Sequence, residues 1–275
     1  MDNLKQISVQ LEEKLDSLSQ PLKPHLPALA RFLLVVTYLE DSFRILFQWN
    51  MQVQYFTYYK GYSSFFAYIF LLAITATMII CSSLAVMKKH TNIAVIGLGV
   101  NTILQSIFYG FALDWKYLLR NLSLLGGLIL LASESYITMD KKNAMFAGLP
   151  SINKNGTSTY MTLLGRVLLV LLFLGLAFGG EEMSLVRLIF IAIASVVCVM
   201  VVVGFKAKFS AILLIAMLSL FNVFVNNWWS LHHEHPERDF LKYDFFQTLS
   251  VMGGLLMLVN IGPGNMSIDE KKKQY

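Results

Sequence analysis

The chain has 275 residues, of which 56% are apolar and only 14% charged. That balance excludes an ordinary soluble domain and predicts a polytopic membrane protein, all-α and bundled, with about eight spans. A formal net charge of +5 raises nucleic acid as a partner, but the basic residues are scattered between apolar runs and form no continuous basic face, so nucleic acid is excluded and topology accounts for them.

Residues 1–24 lack the apolar core of a signal peptide. Leu4, Ile7, Leu11, Leu15 and Leu18 recur at intervals of three and four, one stripe of a short amphipathic helix that ends near Pro21 and Pro24. The expected role of that stripe is to rest on the bundle or on the headgroup layer.

A helix crossing about 30 Å of hydrocarbon needs roughly 20 residues. Apolar runs of that order are predicted near 27–48, 62–87, 92–112, 117–136, 162–180, 185–204, 209–230 and 243–261. The first run carries Glu40, Asp41 and Arg44. Ionised groups inside a bilayer are costly unless they pair or meet water, so these must face the bundle interior or an aqueous opening. Glu40 and Arg44 stand one helical turn apart, the spacing of an internal ion pair. Gln48 and Trp49 follow at the mouth, Trp49 as an interfacial anchor.

Cys81 and Cys198 each fall within an apolar run and read as buried small hydrophobes, not as a disulfide or metal pair. Asp114, Lys116 and Arg120 open the fourth span, and Lys242, Asp244 and Gln247 the eighth. Pairing across the bundle is their expected state, and their matching places suggest one polar cleft to which both halves contribute. Before the eighth span comes His232-His233-Glu234-His235. Without a second cluster at ligand spacing it predicts a solvated loop and no metal site. Its functional alternative is a pH sensor, in which His232, His233 and His235 gain charge in a mildly acidic compartment and loosen a bound partner.

The chain also repeats itself. The stretch 122–130 and the stretch 249–257 share Leu, Ser, two consecutive glycines and the next Leu, in order. Arg31 and Arg166 each open an aliphatic run, and Cys81 before Lys88 and Lys89 parallels Cys198 before Lys206 and Lys208. The predicted organisation is an N-terminal segment 1–24, a four-span repeat 25–136, a linker 137–161, a second four-span repeat 162–261 and a tail 262–275. An even number of spans in each half makes the repeat parallel. The glycine pairs, with Gly175 and Gly179 at GxxxG spacing, permit close helix approach.

With the N-terminus in the cytosol, most of the 22 lysines and arginines fall in cytosolic segments, as the positive-inside rule requires. Sequons beginning at Asn121, Asn155 and Asn265 then lie in a span, a cytosolic loop and the tail, where none is expected to be glycosylated. The tail ends Lys271-Lys272-Lys273-Gln274-Tyr275, with lysines third and fourth from the end. That placement resembles the dilysine signal by which the Golgi-to-ER coat retrieves membrane proteins, and it is legible only from the cytosol.

Tyr38 to Trp49 (YLEDSFRILFQW), Asp114 to Gly127 (DWKYLLRNLSLLGG), Met145 to Pro150 (MFAGLP), Gly165 to Phe173 (GRVLLVLLF), Gly204 to Ala211 (GFKAKFSA), Phe240 to Leu256 (FLKYDFFQTLSVMGGLL) and the tail DEKKKQY resemble the surfeit locus protein four family of ER cargo receptors. The resemblance spans roughly 25–275. It implies a receptor, not an enzyme, needing no cofactor, that cycles between the ER membrane, the ER–Golgi intermediate compartment and the early Golgi. It also implies that soluble secretory cargo and lipoproteins are captured in the lumen, by N-termini of hydrophobic-proline-hydrophobic type, and coupled to the outward COPII coat. The COPI coat would read the tail, membrane lipids would surround the bundle, and homo-oligomerisation is left open. Residues 1–24, 51–60, 137–160 and the histidine loop match poorly, and no function is carried over to them.

A short N-terminal peptide fits a small cleft with an acidic acceptor for its amine and aromatic walls for its side chains. The cargo-binding candidates are therefore Tyr38, Glu40, Asp41, Phe43, Arg44, Asp114, Arg120 and Asp244. Two rival classes stay open. A lipid or solute transporter is favoured by the repeat and the polar midsections, and a membrane oxidoreductase by the histidines and intramembrane acids, although no haem or quinone motif supports the second.

Overall fold

The computed structural model describes residues 25–110, 113–146, 156–178, 185–232, 235, 237–262, 264 and 266–273. The predicted N-terminal amphipathic stripe, His233 and Glu234 lie outside them. Among the described residues there are helices and connecting turns and no strand. Eight long helices follow one another: α1 (Leu26–Phe47), then after the short α2 (Trp49–Gln54), α3 (Ser64–Val86), α4 (Thr91–Phe108), α5 (Trp115–Phe146), α6 (Gly156–Phe178), α7 (Leu185–Val203), α8 (Ala207–Phe224) and α9 (Arg238–Ile261). The tail adds a short α10 (Ile268–Lys273). This is the all-α bundle expected from composition.

Among the described residues, five segments are long and apolar enough to cross a membrane: Ser64–Val86, Thr91–Phe108, Tyr117–Met139, Ala207–Ser230 and Arg238–Ile261. Helices α6 and α7 contribute shorter apolar stretches, Thr157–Leu171 and Ile191–Val203. At 22 residues α1 has the length of a span, but four charged side chains interrupt it, and Arg31, Glu40 and Asp41 are buried. One boundary differs from expectation. The charged residues after 136 end the apolar run but not the helix, which continues to Phe146, while α6 begins at Gly156. The region read as a linker is thus partly helical at both ends, because Asp, Lys and Met keep helical geometry after hydropathy is lost.

Two of the interhelical turns share a left-handed backbone feature. The turn into α4 has Lys88 at φ 57° and His90 at φ 48°, and the turn into α8 has Gly204 at φ 74° and Lys206 at φ 44°. Each turn precedes an 18-residue helix. The halves interlock through their first and last helices: the most extensive pairings are α5 on α6 and α9 on α1, and α5 and α9 meet each other between them. Small residues make these approaches possible. Gly126 faces α6, where an added Cβ would lie 2.9 Å from the backbone nitrogen of Leu169. Gly253 faces α1, where it would lie 2.4 Å from that of Leu34. Between these seams Gly127 and Gly254 oppose each other directly. Matching hydroxyls flank the glycines: Ser123 donates to the Leu169 carbonyl at 2.8 Å, and Ser250 to that of Leu33 at 3.1 Å.

Cys81 and Cys198 are buried free thiols, Cys81 beside Gly97. At the end of the bundle where α9 finishes, the tail is fastened by Asp269. Its carboxylate accepts from the backbone amides of Lys206 and Ala207 at 2.8 and 2.9 Å, capping α8, and its own amide donates to the Gly204 carbonyl. Helix α10 starts at this attachment and runs through Lys271, Lys272 and Lys273.

Candidate functional site: a tyrosine-lined cavity with paired charges

At the opposite end, where α1 finishes and α9 begins, a cavity of about 370 Å³ opens between α1, α2, α4, α5 and α9. Helix α1 supplies Thr37, Tyr38, Asp41 and Arg44, one face at helical spacing. Thr102 and Ser106 come from α4, Asn121 and Leu124 from α5, and Asp239, Phe240 and Tyr243 from α9. The volume lies in the range of small-ligand pockets, and its wall mixes aromatic surface with a few placed polar groups.

Ion pairs hold this end together. Arg44 donates to Asp41 Oδ1 at 2.6 Å, and its Nε lies 3.8 Å from Glu40 Oε2. Glu40 also meets Lys242 of α9 at 3.1 Å, and Arg120 of α5 pairs with Asp244 of α9. The cross-bundle pairing read for these charged groups is therefore present, and α9 joins both α1 and α5. The Arg44 guanidinium lies 5.9 Å from the Tyr243 ring centroid, adding a cation–π contact. Paired in this way, groups too costly to expose to lipid become fixed walls.

Hydrogen bonds set the aromatic wall. Tyr38 and Thr102 share a hydroxyl hydrogen bond of 2.9 Å, and Thr102 donates in turn to the Leu98 carbonyl. Tyr109 donates to Gln52 Oε1 at 2.9 Å, and its carbonyl accepts from the Tyr55 hydroxyl at 3.2 Å. The Tyr55 and Tyr109 rings stack, with centroids 5.7 Å apart and 19° between planes. Asn121, the asparagine of the first sequon, donates to Ser106 Oγ at 2.8 Å within the wall. Tyr55 opens a π-helical turn, Tyr55–Tyr59, which widens the helix where the wall is formed.

Of the sequence candidates, Tyr38, Asp41 and Arg44 line the cavity. Glu40, Arg120 and Asp244 brace it from outside the lining through their ion pairs. Phe43 is 52% exposed and stacks on Phe47, on the outer face of α1 away from the cavity. Asp114 is exposed in the turn before α5 and does not line it. Neither His232 nor His235 lines the cavity, and both are exposed. Among the described residues no three of His, Cys, Asp and Glu converge as a metal site. Trp49 is half-buried, its ring 6.2 Å from that of Tyr68.

Sequence reasoning missed Tyr55, Tyr109, Tyr117, Tyr243, Gln52 and Asp239, all in the wall. Gln52 and Tyr55 belong to the 51–60 segment to which the resemblance assigned nothing. The only local signal was the density of tyrosine around 55–59.

Sequence comparison assigns this architecture. Residues 5–275 match the SURF4 family. The chain belongs to that family. It is 43% identical to a surfeit locus protein 4 homolog of Schizosaccharomyces pombe over 97% of this chain and 88% of that protein. It is 40% identical to a homolog of the same name in Drosophila melanogaster, over 91% of each chain. A third relative, the ER-derived vesicles protein ERV29 of Saccharomyces cerevisiae, is 39% identical over 92% of this chain and 79% of its own length. No solved structure matches this SURF4-family chain.

Proposed function

We propose that this protein is an ER-to-Golgi cargo receptor without catalytic activity. It binds soluble secretory proteins, lipoproteins among them, in the ER lumen through their N-termini and loads them into COPII vesicles. The COPI coat then retrieves it through Lys271, Lys272 and Lys273. A soluble lumenal protein cannot touch a cytosolic coat, so selective export requires a spanning adaptor with a binding surface on one side and sorting signals on the other. Family membership and the vesicle named in the ERV29 relative support that role.

The observation that carries the reading is the cavity of about 370 Å³ at the end of the bundle opposite the lysine-bearing tail. Its size suits two or three residues of an extended chain end, its tyrosines suit apolar and proline side chains, and its acids suit an amine. The histidine loop is proposed as a pH-dependent element beside the entrance to α9, loosening cargo after ER exit.

The test is photocrosslinking in sealed ER vesicles, with a cargo that carries a photoreactive residue at its mature position one or two. The expected adducts fall on Tyr38, Tyr109 or Tyr243, and blocking the cargo N-terminus with an extra glycine-serine stretch removes them. Adducts confined to the loops, indifferent to that extension, would place cargo elsewhere and end the N-terminal reading. A transporter is the second reading, favoured by the internal repeat. Solute or lipid flux in reconstituted vesicles free of cargo would select it.

A further inference from the structure

We propose that Asp239 is the carboxylate that receives the α-ammonium group of the incoming chain, an assignment that rests on the receptor reading above. The argument is one of charge matching within the cavity. The acids that sequence pointed to are already committed. Asp41 holds Arg44 at 2.6 Å, and Glu40, outside the lining, lies between Lys242 at 3.1 Å and Arg44 at 3.8 Å. Asp244 is bound to Arg120 and also stands outside the lining. An ammonium group approaching Asp41 would have to share that carboxylate with a guanidinium of the same sign, a repulsion at close range in a partly desolvated site.

Asp239 is differently placed. It lines the same cavity from the first turn of α9 and is exposed. No ion pair is made by it among the described residues, and its side chain accepts only from an uncharged group, Gln48 Nε2, at 3.3 Å. The cations nearest in sequence are engaged elsewhere. Arg238 lies over the Trp228 ring, 5.2 Å from its centroid, and Lys242 is held by Glu40. Of the two carboxylates in the lining, Asp239 is therefore the one whose charge no described cation offsets.

The neighbourhood suits a primary ammonium. Phe240 and Tyr243 stand on the same helix and line the same cavity, and their ring faces attract a cation. Gln48 Nε2 donates to the carboxylate from the end of α1. A peptide amine seated at Asp239 puts its first side chain against the tyrosines and directs the following residues toward Thr102 and Asn121. The inference gives the cavity a polarity, with the amine at the rim and the apolar side chains inward. It also gives a chemical requirement, that the cargo N-terminus be unblocked.

The experiment uses the full-length protein in nanodiscs and a fluorescent peptide that begins with an apolar residue, proline and a second apolar residue, in free and N-acetylated forms. The wild type is expected to prefer the free form by about tenfold or more, the scale of one charge-assisted hydrogen bond. Asp239→Asn should abolish that preference by weakening only the free peptide, and Asp239→Glu should restore part of it. The ratio between peptides is insensitive to the fraction of protein that is folded. A preference kept intact in Asp239→Asn overturns the assignment and leaves the receptor reading standing. Equal binding of both forms by the wild type removes the ammonium subsite altogether. Binding of neither form overturns the receptor reading together with it.

Discussion

Arg31 of α1 and Arg166 of α6 are both buried but are satisfied differently. Arg31 donates to both carboxylate oxygens of Glu134, at 3.1 and 2.9 Å, and Lys88 approaches the same carboxylate at 3.4 Å. Arg166 is 1% exposed, and its Nε and Nη1 have no hydrogen-bond partner among the described residues, with Asp269 of the fastened tail supplying opposing charge. The space around Arg166 depends on Gly204. At φ 74° a side chain there is strained, and its Cβ would lie 2.5 Å from Arg166 Nη1. Breaking the Arg31 pair on one side leaves a buried carboxylate short of its main counter-charge, at a cost of about 3 kcal/mol. Arg31→Met should therefore lower stability by that order in detergent-mediated unfolding. Arg31→Met with Glu134→Met should recover most of the loss, since the uncompensated charge goes too. A double variant no more stable than the single one would show that the pair does not carry the effect.

At the scale of elements, the seams between halves decide which substitutions the bundle tolerates. An added Cβ at Gly253 meets backbone on three sides, Leu34 N at 2.4 Å, Leu33 C at 2.8 Å and Ala30 O at 2.9 Å, so α1 and α9 would have to separate. Gly253→Ala should cost about 1–3 kcal/mol, the range for overpacked cores. Gly99→Ala, where the nearest atom is Leu125 Cδ2 at 3.7 Å, should be nearly neutral. Equal thermal midpoints for the two variants in the same detergent would contradict the packing scheme. These helices were legible in the sequence because hydropathy alone marks a span, and the glycine pairs marked the seams. The cavity was legible only in part. Its α1 face showed because charges in an apolar run are conspicuous, whereas Tyr109 at the end of α4, Tyr117 on α5 and Tyr243 on α9 converge only through packing. Nothing local announces that Lys242 meets Glu40 across 202 positions of chain. For the same reason nothing in the sequence marked Asp239.

For the whole molecule, the sidedness of the bundle decides whether cavity and tail can serve one receptor. The helices place the turns at Lys88–Lys89 and at Lys206–Lys208 at one end with the tail, and the cavity at the other. On the receptor reading proposed above, the lysine-bearing end faces the cytosol and the cavity the lumen, the orientation that the positive-inside rule favours. Cysteine labelling tests this directly, because both native thiols are buried and give little background. Leu113, in the turn between α4 and α5 at the cavity end, is 99% exposed, and Lys89 is exposed at the other end. In sealed ER microsomes a membrane-impermeant maleimide should label Lys89→Cys at once and Leu113→Cys only after permeabilisation. Labelling of Leu113→Cys in sealed vesicles would turn the cavity toward the cytosol, where secreted chains do not arrive, and the receptor proposal would fall with it.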